Sequence, residues 1–212
     1  SNYTVSYSHG TLTVGSTTPT ITFADMTKVY GDSDFEGGAS SPSPVTITYS
    51  SDNTSVATIV DNKIHIAGAG TANITASQAG DGNYTAAAPV TKVLTVDKAI
   101  LTVTAANQSK TYGSANPALT VSYSGFVNGD DATALSTAPT ATTTATAASP
   151  AGSYAITATG GISANYDFSY TDGTLTIGKA TLAVTADDKS KTYGSANPAL
   201  TVSYSGFVNG DD

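Results

Sequence analysis

The chain has 212 residues, no cysteine and a formal net charge of −8 at neutral pH. Without cysteine it forms no disulfide and has no thiolate chemistry, and its acidic balance disfavours contact with nucleic acid or an anionic membrane. We therefore predict neither a nucleic-acid partner nor membrane insertion.

The sequence repeats itself. Residues 109–131 recur letter for letter at 190–212, after an offset of 81 positions. Two shorter landmarks keep nearly the same period, a Lys-x-Tyr-Gly motif and an Asn-Tyr pair. The motif begins at Lys28, Lys110 and Lys191, and the pair begins at Asn2, Asn83 and Asn165. Such a period indicates a chain built by stacking one structural unit.

The period divides the chain into four segments. We predict that residues 1–15 are the C-terminal end of one module, that 16–97 and 98–178 are complete modules, and that 179–212 are the N-terminal part of another. The chain is thus expected to be a window on a longer array. No Gly/Ser-rich spacer lies at either junction, so the modules are expected to form a semi-rigid rod.

Along the chain, short runs alternate between apolar and hydroxyl-bearing residues, which is the pattern of strands with one buried face. The clearest runs are 45–49, 72–76, 101–105, 119–123, 154–158 and 166–170. Asp172-Gly173 separates two short runs and predicts a hairpin, because both central residues of a tight hairpin turn need φ > 0. One short helix is predicted at 130–135. The predicted fold class is therefore all-β.

Two families resemble parts of this sequence. The 98–178 module closely resembles the MBG ("mostly β-grasp") repeat of bacterial surface proteins, near the related YDG repeats, through its segments KTYGSANPALTVSYSGFVNGDD, AGSYAIT and NYDFSYTDGTLTIGKA. The resemblance extends to the partial modules 1–15 and 179–212. The 16–97 module, with SVATI and GAGTANITA, resembles bacterial Ig-like domains of the Big type. That module also carries the Tyr-Gly and Asn-Tyr landmarks, so it resembles both an Ig-like sandwich, the favoured interpretation, and a divergent β-grasp unit.

The resemblance implies a tandem array of β-grasp-like and Ig-like sandwich modules in a large secreted adhesin. Such proteins are common in Bacteroidota, where the type IX system exports some of them and gliding cells use others. The resemblance also implies that the first and last strands of a β-grasp unit lie side by side and parallel. We therefore expect an extracellular, cell-surface structural stalk that bears load between the cell and a distal binding region, and not an enzyme.

A binding array is the alternative function. Each repeat would contact a glycan or a surface weakly, and the array would gain avidity from its many copies. Tyr112 and Tyr193, each before a glycine, are the candidate ligand-contacting residues. Other tyrosines fall on the apolar face of the alternation and are expected in the core with their hydroxyls at the rim; they are Tyr123, Tyr154, Tyr166 and Tyr170.

Further partners and roles follow from the array. Neighbouring modules of the same chain are expected partners, and other copies of the chain are a second possibility, through complementation between 1–15 and 179–212. A third candidate function is that the array forms an accessory stalk of a polysaccharide-degrading enzyme.

No catalytic, cofactor-binding or metal-binding residue is predicted. His9 and His65 are the histidines of the chain, and neither has a partner at metal-ligand spacing. His65 lies between two isoleucines of an alternating run, so it is expected to face solvent. Calcium at the module junctions is the alternative. It would use the acidic pairs at 130–131, 187–188 and 211–212 and Asp97, although the chain has no EF-hand loop.

Overall fold

A computed structural model of the chain describes residues 2–212, which form strands and one short 3-10 turn. This confirms the all-β prediction. The strands are β1 Met26–Val29, β2 Ile47–Ser51, β3 Ala57–Val60, β4 Lys63–Ile66, β5 Gly70–Gln78, β6 Val90–Asp97, β7 Ala99–Ala105, β8 Gln108–Thr111, β9 Val121–Ser124, β10 Thr140–Thr142, β11 Gly152–Thr159, β12 Tyr166–Thr171, β13 Gly173–Gly178, β14 Ala183–Ala186 and β15 Val202–Ser205. They fold into two compact units, one up to Lys98 and one from Ala99 to Asp212.

The first unit is built on a sheet with strand order β1-β6-β5-β2. β1 runs parallel to β6, and the other pairings are antiparallel. A separate hairpin of β3 and β4 is extended by backbone pairing of Phe35 with Ile64. Ile64 of the hairpin and Ile74 and Leu94 of the sheet are fully buried, so both elements contribute to the core. Residues 2–15 contain no strand and are exposed.

The second unit contains a sandwich of two sheets. One sheet has the order β10-β11-β13-β8, and the other has the order β12-β7-β9. Val103 and Ala105 of one sheet pack with Ile156, Leu175 and Ile177 of the other in a single apolar core. The alternation predicted these buried faces correctly, because every second residue of a strand points to the same side.

In both units, strands from the beginning of the module pair in parallel with strands from its end. In the second unit β7 pairs parallel with β12, and β8 pairs parallel with β13. Ala99 faces Tyr166 and Gln108 faces Leu175, so both ladders keep one offset of 67 positions. In the first unit β1 and β6 form the matching parallel pair. The expected parallel arrangement of the terminal strands is confirmed.

The predicted hairpin at Asp172-Gly173 is wrong. β12 and β13 do not pair with each other; instead the chain continues through this dipeptide and passes from one sheet to the other. Gly173 is buried, and a Cβ atom there would lie 2.5 Å from the backbone oxygen of Ala105. The glycine therefore permits the close approach of two crossing backbones rather than a tight turn.

The predicted helix at 130–135 is only a 3-10 turn at Ala132–Ala134. Asp131 caps it, because its carboxylate accepts a hydrogen bond from the Thr133 amide at 2.8 Å. Leu135 already has extended backbone, and the amide of Thr137 pairs with the carbonyl of Ile162 at 3.1 Å. This backbone pairing begins too soon for a longer helix to form.

Candidate functional site: the contact between successive repeats

The Lys-x-Tyr-Gly motif forms a corner in the chain where β1 ends in the first unit and where β8 ends in the second. The Tyr112 amide donates to the Gly178 carbonyl at 2.8 Å, and the Tyr30 amide donates to the Asp97 carbonyl at 2.9 Å. Each tyrosine therefore closes the parallel ladder of its module. The glycine that follows turns the chain away with positive φ, which is +98° at Gly31, +87° at Gly113 and +81° at Gly194. Glycine adopts this backbone region without the steric penalty that a Cβ atom brings.

The lysine of the motif fastens this corner in the MBG-like repeats. The Lys110 ammonium donates to the carbonyls of Ser114 and Thr146, at 3.0 and 2.6 Å. In the next copy, the Lys191 ammonium donates to the carbonyl of Ser195 at 3.3 Å. The positive charge thus closes the loop that follows the glycine.

The other end of the repeated string forms a tight loop. Asn128 and Gly129 have φ of +56° and +79°, and Asn209 and Gly210 have +57° and +83°. The two copies of the loop therefore have the same backbone shape. An Asn-Gly pair suits this turn because both residues tolerate φ > 0.

These two ends meet where one repeat follows the next. The Val208 side chain packs on Gly113, so close that a Cβ atom at 113 would lie 2.6 Å from it. The Asn209 side-chain amide donates to the Ala147 carbonyl at 3.3 Å, and the Tyr112 hydroxyl lies 3.4 Å from a carboxylate oxygen of Asp211. The glycine of the Tyr-Gly corner thus serves twice, for its backbone conformation and for contact with the following repeat.

A cavity of about 360 Å³ lies beside this contact. Its wall on the earlier repeat includes Tyr112, Pro150 and Ala151. Its wall on the later repeat includes Lys179, Ala180, Leu182, Gly206, Phe207, Val208 and Asp211. The lining is mainly apolar and includes two charged residues, Lys179 and Asp211.

The two candidate ligand-contacting tyrosines have different surroundings. Tyr112 is partly buried at the junction cavity, whereas the Tyr193 side chain is fully exposed. The ligand-contacting role of both residues stays a prediction. Sequence reasoning missed the packing of Val208 on Gly113. The signal in the sequence was the identical string at 109–131 and 190–212, because each copy contains both the Tyr-Gly corner and the Asn-Gly loop.

Most of the tyrosines expected in the core are found there. Tyr166 is 1% exposed, and its hydroxyl donates to an Asp130 carboxylate oxygen at 2.7 Å. Tyr123 and Tyr154 are half-buried with the apolar core. Tyr170 differs, because it lies near the end of its strand and is 40% exposed.

The titratable groups have local structural roles. His65 faces solvent, as predicted, with Nδ1 2.7 Å from an Asp34 carboxylate oxygen, and His9 is exposed. Hydrogen bonds from the hydroxyl and amide of Thr133 lower the pKa of Asp131. Among residues 2–212, no three His, Cys, Asp or Glu side chains gather as metal ligands would. Calcium binding at the junctions stays a prediction, and so does the expectation that the chain has no cofactor-binding residue.

The repeats match a known family. A family model described as the MBG domain (YGX type) matches residues 101–176 and matches again at 182–212. The chain belongs to the MBG family. The first match covers the sandwich of the second unit, and the second covers the start of the next MBG repeat. Domains of this family are typically extracellular. No helix in the described part of the chain is long and apolar enough to cross a membrane.

Two solved structures that the chain resembles are distant likenesses. One is Drosophila N-cadherin EC1-4, with 11% identity, a TM-score of 0.26, and coverage of 76% of this chain and 50% of that one. Another is Drosophila N-cadherin EC1-3, with 14% identity, the same TM-score of 0.26, and coverage of 76% and 68%. The chain thus spans half the length of the first of these. No curated protein matches the chain.

Proposed function

We propose that this chain is a stalk segment of a long cell-surface adhesin, and that its modules extend the molecule and bear load. The observation that carries this proposal is the parallel pairing of the first and last strands in both modules. In each of the two modules, the chain enters through one partner of the parallel pairing and leaves through the other. Pulling on the ends of a module therefore applies force along the paired strands.

The direction of the force decides how the strand pair resists. Because the strands are parallel, the chain enters at one end of the ladder and leaves at the opposite end. The hydrogen bonds between them are then loaded together in shear. In the second unit this ladder joins β7 to β12 and β8 to β13, so it ties both sheets of the sandwich. Separating the strands of either sheet under load therefore requires breaking hydrogen bonds of this ladder.

The junction between the MBG repeats supports the same proposal. β13 ends at Gly178 and β14 begins at Ala183, so only residues 179–182 connect one repeat to the next. The packing of Val208 on Gly113 adds a side-chain contact across this short link. A stalk with such links would behave as a semi-rigid rod rather than as a flexible string.

Single-molecule force spectroscopy tests this proposal. The chain would be pulled from its two termini, and unfolding of residues 98–178 would release at most about 290 Å at roughly 3.6 Å per residue. We expect a distinct unfolding peak with this increment, because the parallel ladder must shear as one. A smooth extension without such peaks would contradict the stalk proposal.

A second attachment point supplies the matched control. The chain has no cysteine, so a cysteine introduced at the exposed Ala164 gives a unique handle just before β12. Pulling between the N terminus and this handle opens the pair of β7 and β12 from one end, bond by bond. The peak for this pair should appear at a lower force, with a shorter increment of about 240 Å. Equal forces in both geometries would refute the shear argument.

A binding array is the second candidate function, favoured by the exposure of Tyr193 and the cavity beside Tyr112. Aromatic faces can stack on sugar rings, and repetition would supply avidity. The test is binding of the chain to a panel of surface glycans, compared with the double variant Tyr112→Ala and Tyr193→Ala. Loss of binding in the variant would support this function, and no binding by the parent chain would exclude it for that panel.

The wider context implied by the sequence resemblance belongs to the same proposal. A Big-type Ig-like identity for residues 16–97, export by the type IX system and a role in gliding stay predictions. The sheet order β1-β6-β5-β2 supports the alternative of a divergent MBG-like unit for this module, because the same order occurs in the MBG sheet as β8-β13-β11-β10. Both modules would then share one sheet architecture along the stalk.

A further inference from the structure

One segment of the complete MBG repeat consists only of small residues and is rich in hydroxyl groups. Residues 136–150 have the sequence STAPTATTTATAASP, with two serines, six threonines, five alanines and two prolines. Segments rich in serine and threonine with proline are typical of protein stalks that carry O-linked glycans. This composition raises the question of which hydroxyls in the segment are accessible.

The segment lies on the outside of the second unit. It follows the buried Leu135 and includes β10, which is an edge strand of the sheet β10-β11-β13-β8. One side of β10 pairs with β11, and no other strand among residues 2–212 pairs with its other side. The rest of the segment forms no helix or strand. An enzyme that binds its acceptor as an extended chain can therefore approach this segment from the open side.

The hydroxyls of the segment differ in accessibility. Thr143 is half-buried, and its hydroxyl donates to the Ala155 carbonyl at 2.7 Å. The Thr142 hydroxyl lies 3.3 Å from the hydroxyl of Thr157. Four other residues are exposed, and their hydroxyls have no hydrogen-bond partner among the residues that the structure describes; they are Ser136, Thr137, Thr140 and Thr144. Free hydroxyls thus lie next to hydroxyls of the same kind that are engaged.

We propose that residues 136–144 are a site of O-linked glycosylation, with Ser136, Thr137, Thr140 and Thr144 as the acceptors. The co-substrate is a diphosphate-activated sugar, used by a glycosyltransferase of the cell that makes the protein. The hydroxyl oxygen bonds to the anomeric carbon of the sugar as the bond from that carbon to the diphosphate breaks. The hydroxyl proton passes to a base of the transferase, and the diphosphate leaves with the electron pair of the broken bond.

Glycans at this site protect an exposed edge of the sheet. An unpaired edge strand can pair with another chain, and many proteins prevent this with charged side chains or by covering the edge. Neither β10 nor β11 contains a charged residue, so charge does not protect this edge. Glycans are bulky and solubilising, so sugars on Thr140 and its neighbours keep other chains away from β10.

Mass spectrometry of the protein isolated from the cells that produce it tests this site. The chain has no arginine and no lysine between Lys110 and Lys179, so trypsin releases the whole segment in one peptide, 111–179. We expect this peptide to exceed the mass of its sequence by whole sugar units, and fragmentation to place the sugars on the four acceptors. The same peptide from a host without O-glycosyltransferases should have the mass of the sequence.

Two variants made in the producing cells identify the acceptors. The fourfold variant Ser136→Ala, Thr137→Ala, Thr140→Ala and Thr144→Ala should lose all of the added mass. Thr143→Ala is the matched control, and it should keep the added mass, because its hydroxyl is already engaged. A peptide 111–179 without sugars in the parent protein would overturn the proposal, whatever the variants do. So would sugars at Thr143 instead of the four acceptors, or added mass that persists in the fourfold variant.

Discussion

Removal of the Tyr166 hydroxyl should destabilise the MBG sandwich strongly, although the substitution Tyr166→Phe deletes a single oxygen atom. The Tyr166 side chain is 1% exposed, and its hydroxyl joins two groups of one loop. It donates to the Asp130 carboxylate at 2.7 Å and accepts from the Val127 amide at 3.0 Å. Tyr166→Phe keeps the ring and its edge-on contact with Phe126, but it removes both hydrogen bonds.

The size of the effect follows from the kind of group involved. A hydrogen bond to a charged partner contributes about 1.5–3 kcal/mol, and the part-buried Val127 amide loses its partner as well. The two losses share one hydroxyl, so we expect a decrease in the free energy of unfolding of about 3 kcal/mol. For a module of this size that decrease corresponds to a melting temperature lowered by roughly 12–24 °C.

Differential scanning calorimetry of the full chain measures this change. The transition of the first unit provides an internal reference, because Tyr166 lies in the second. Tyr154→Phe is the matched control, since the Tyr154 hydroxyl donates to the Pro150 carbonyl at 3.0 Å at an exposed site. The control should stay within about 0.5 kcal/mol of the parent. Equal shifts for both variants would refute the argument that the buried hydroxyl stabilises the loop.

Three further outcomes are expected. Gly173→Ala should lower the free energy of unfolding by about 1–3 kcal/mol in urea titration, because the new Cβ would lie 2.5 Å from the Ala105 carbonyl oxygen, whereas Gly178→Ala, with its nearest atom at 3.8 Å, should not. Hydrogen bonds from the backbone and side chain of Asn73 lower the pKa of Asp52, so its contribution to stability is present near neutral pH and disappears as the pH falls through the lowered pKa. Asp52→Asn should thus reduce stability at neutral pH but not in strong acid, as followed by melting temperature against pH. Excess EDTA should leave the melting temperature unchanged, and a clear decrease would establish bound calcium.

Local patterns predicted the strands well. The alternation at Leu101, Val103 and Ala105 placed all three side chains in the core, because a strand shows two faces whatever it pairs with. Local patterns do not determine which strands pair with each other. The requirement for glycine at 173 comes from Ala105, which lies far away in sequence, so the Asp-Gly pair read by itself indicated the wrong structure.

The same distinction holds for the candidate site. The sequence marked the Lys-x-Tyr-Gly motif as a landmark that recurs at nearly one period, but it did not predict the corner that the motif forms. It did not indicate that Val208 would pack on Gly113, because the two residues belong to different repeats and no local pattern joins them.

The contact of Val208 with Gly113 has a consequence for how such arrays change in length. The corner that receives the following repeat and the loop that reaches back to the preceding one are both encoded within the 23 residues that recur at 109–131 and 190–212. Recombination in phase between two copies of this string removes or adds a whole repeat and leaves a matching corner and loop at the new junction. The number of repeats can therefore vary without any compensating substitution.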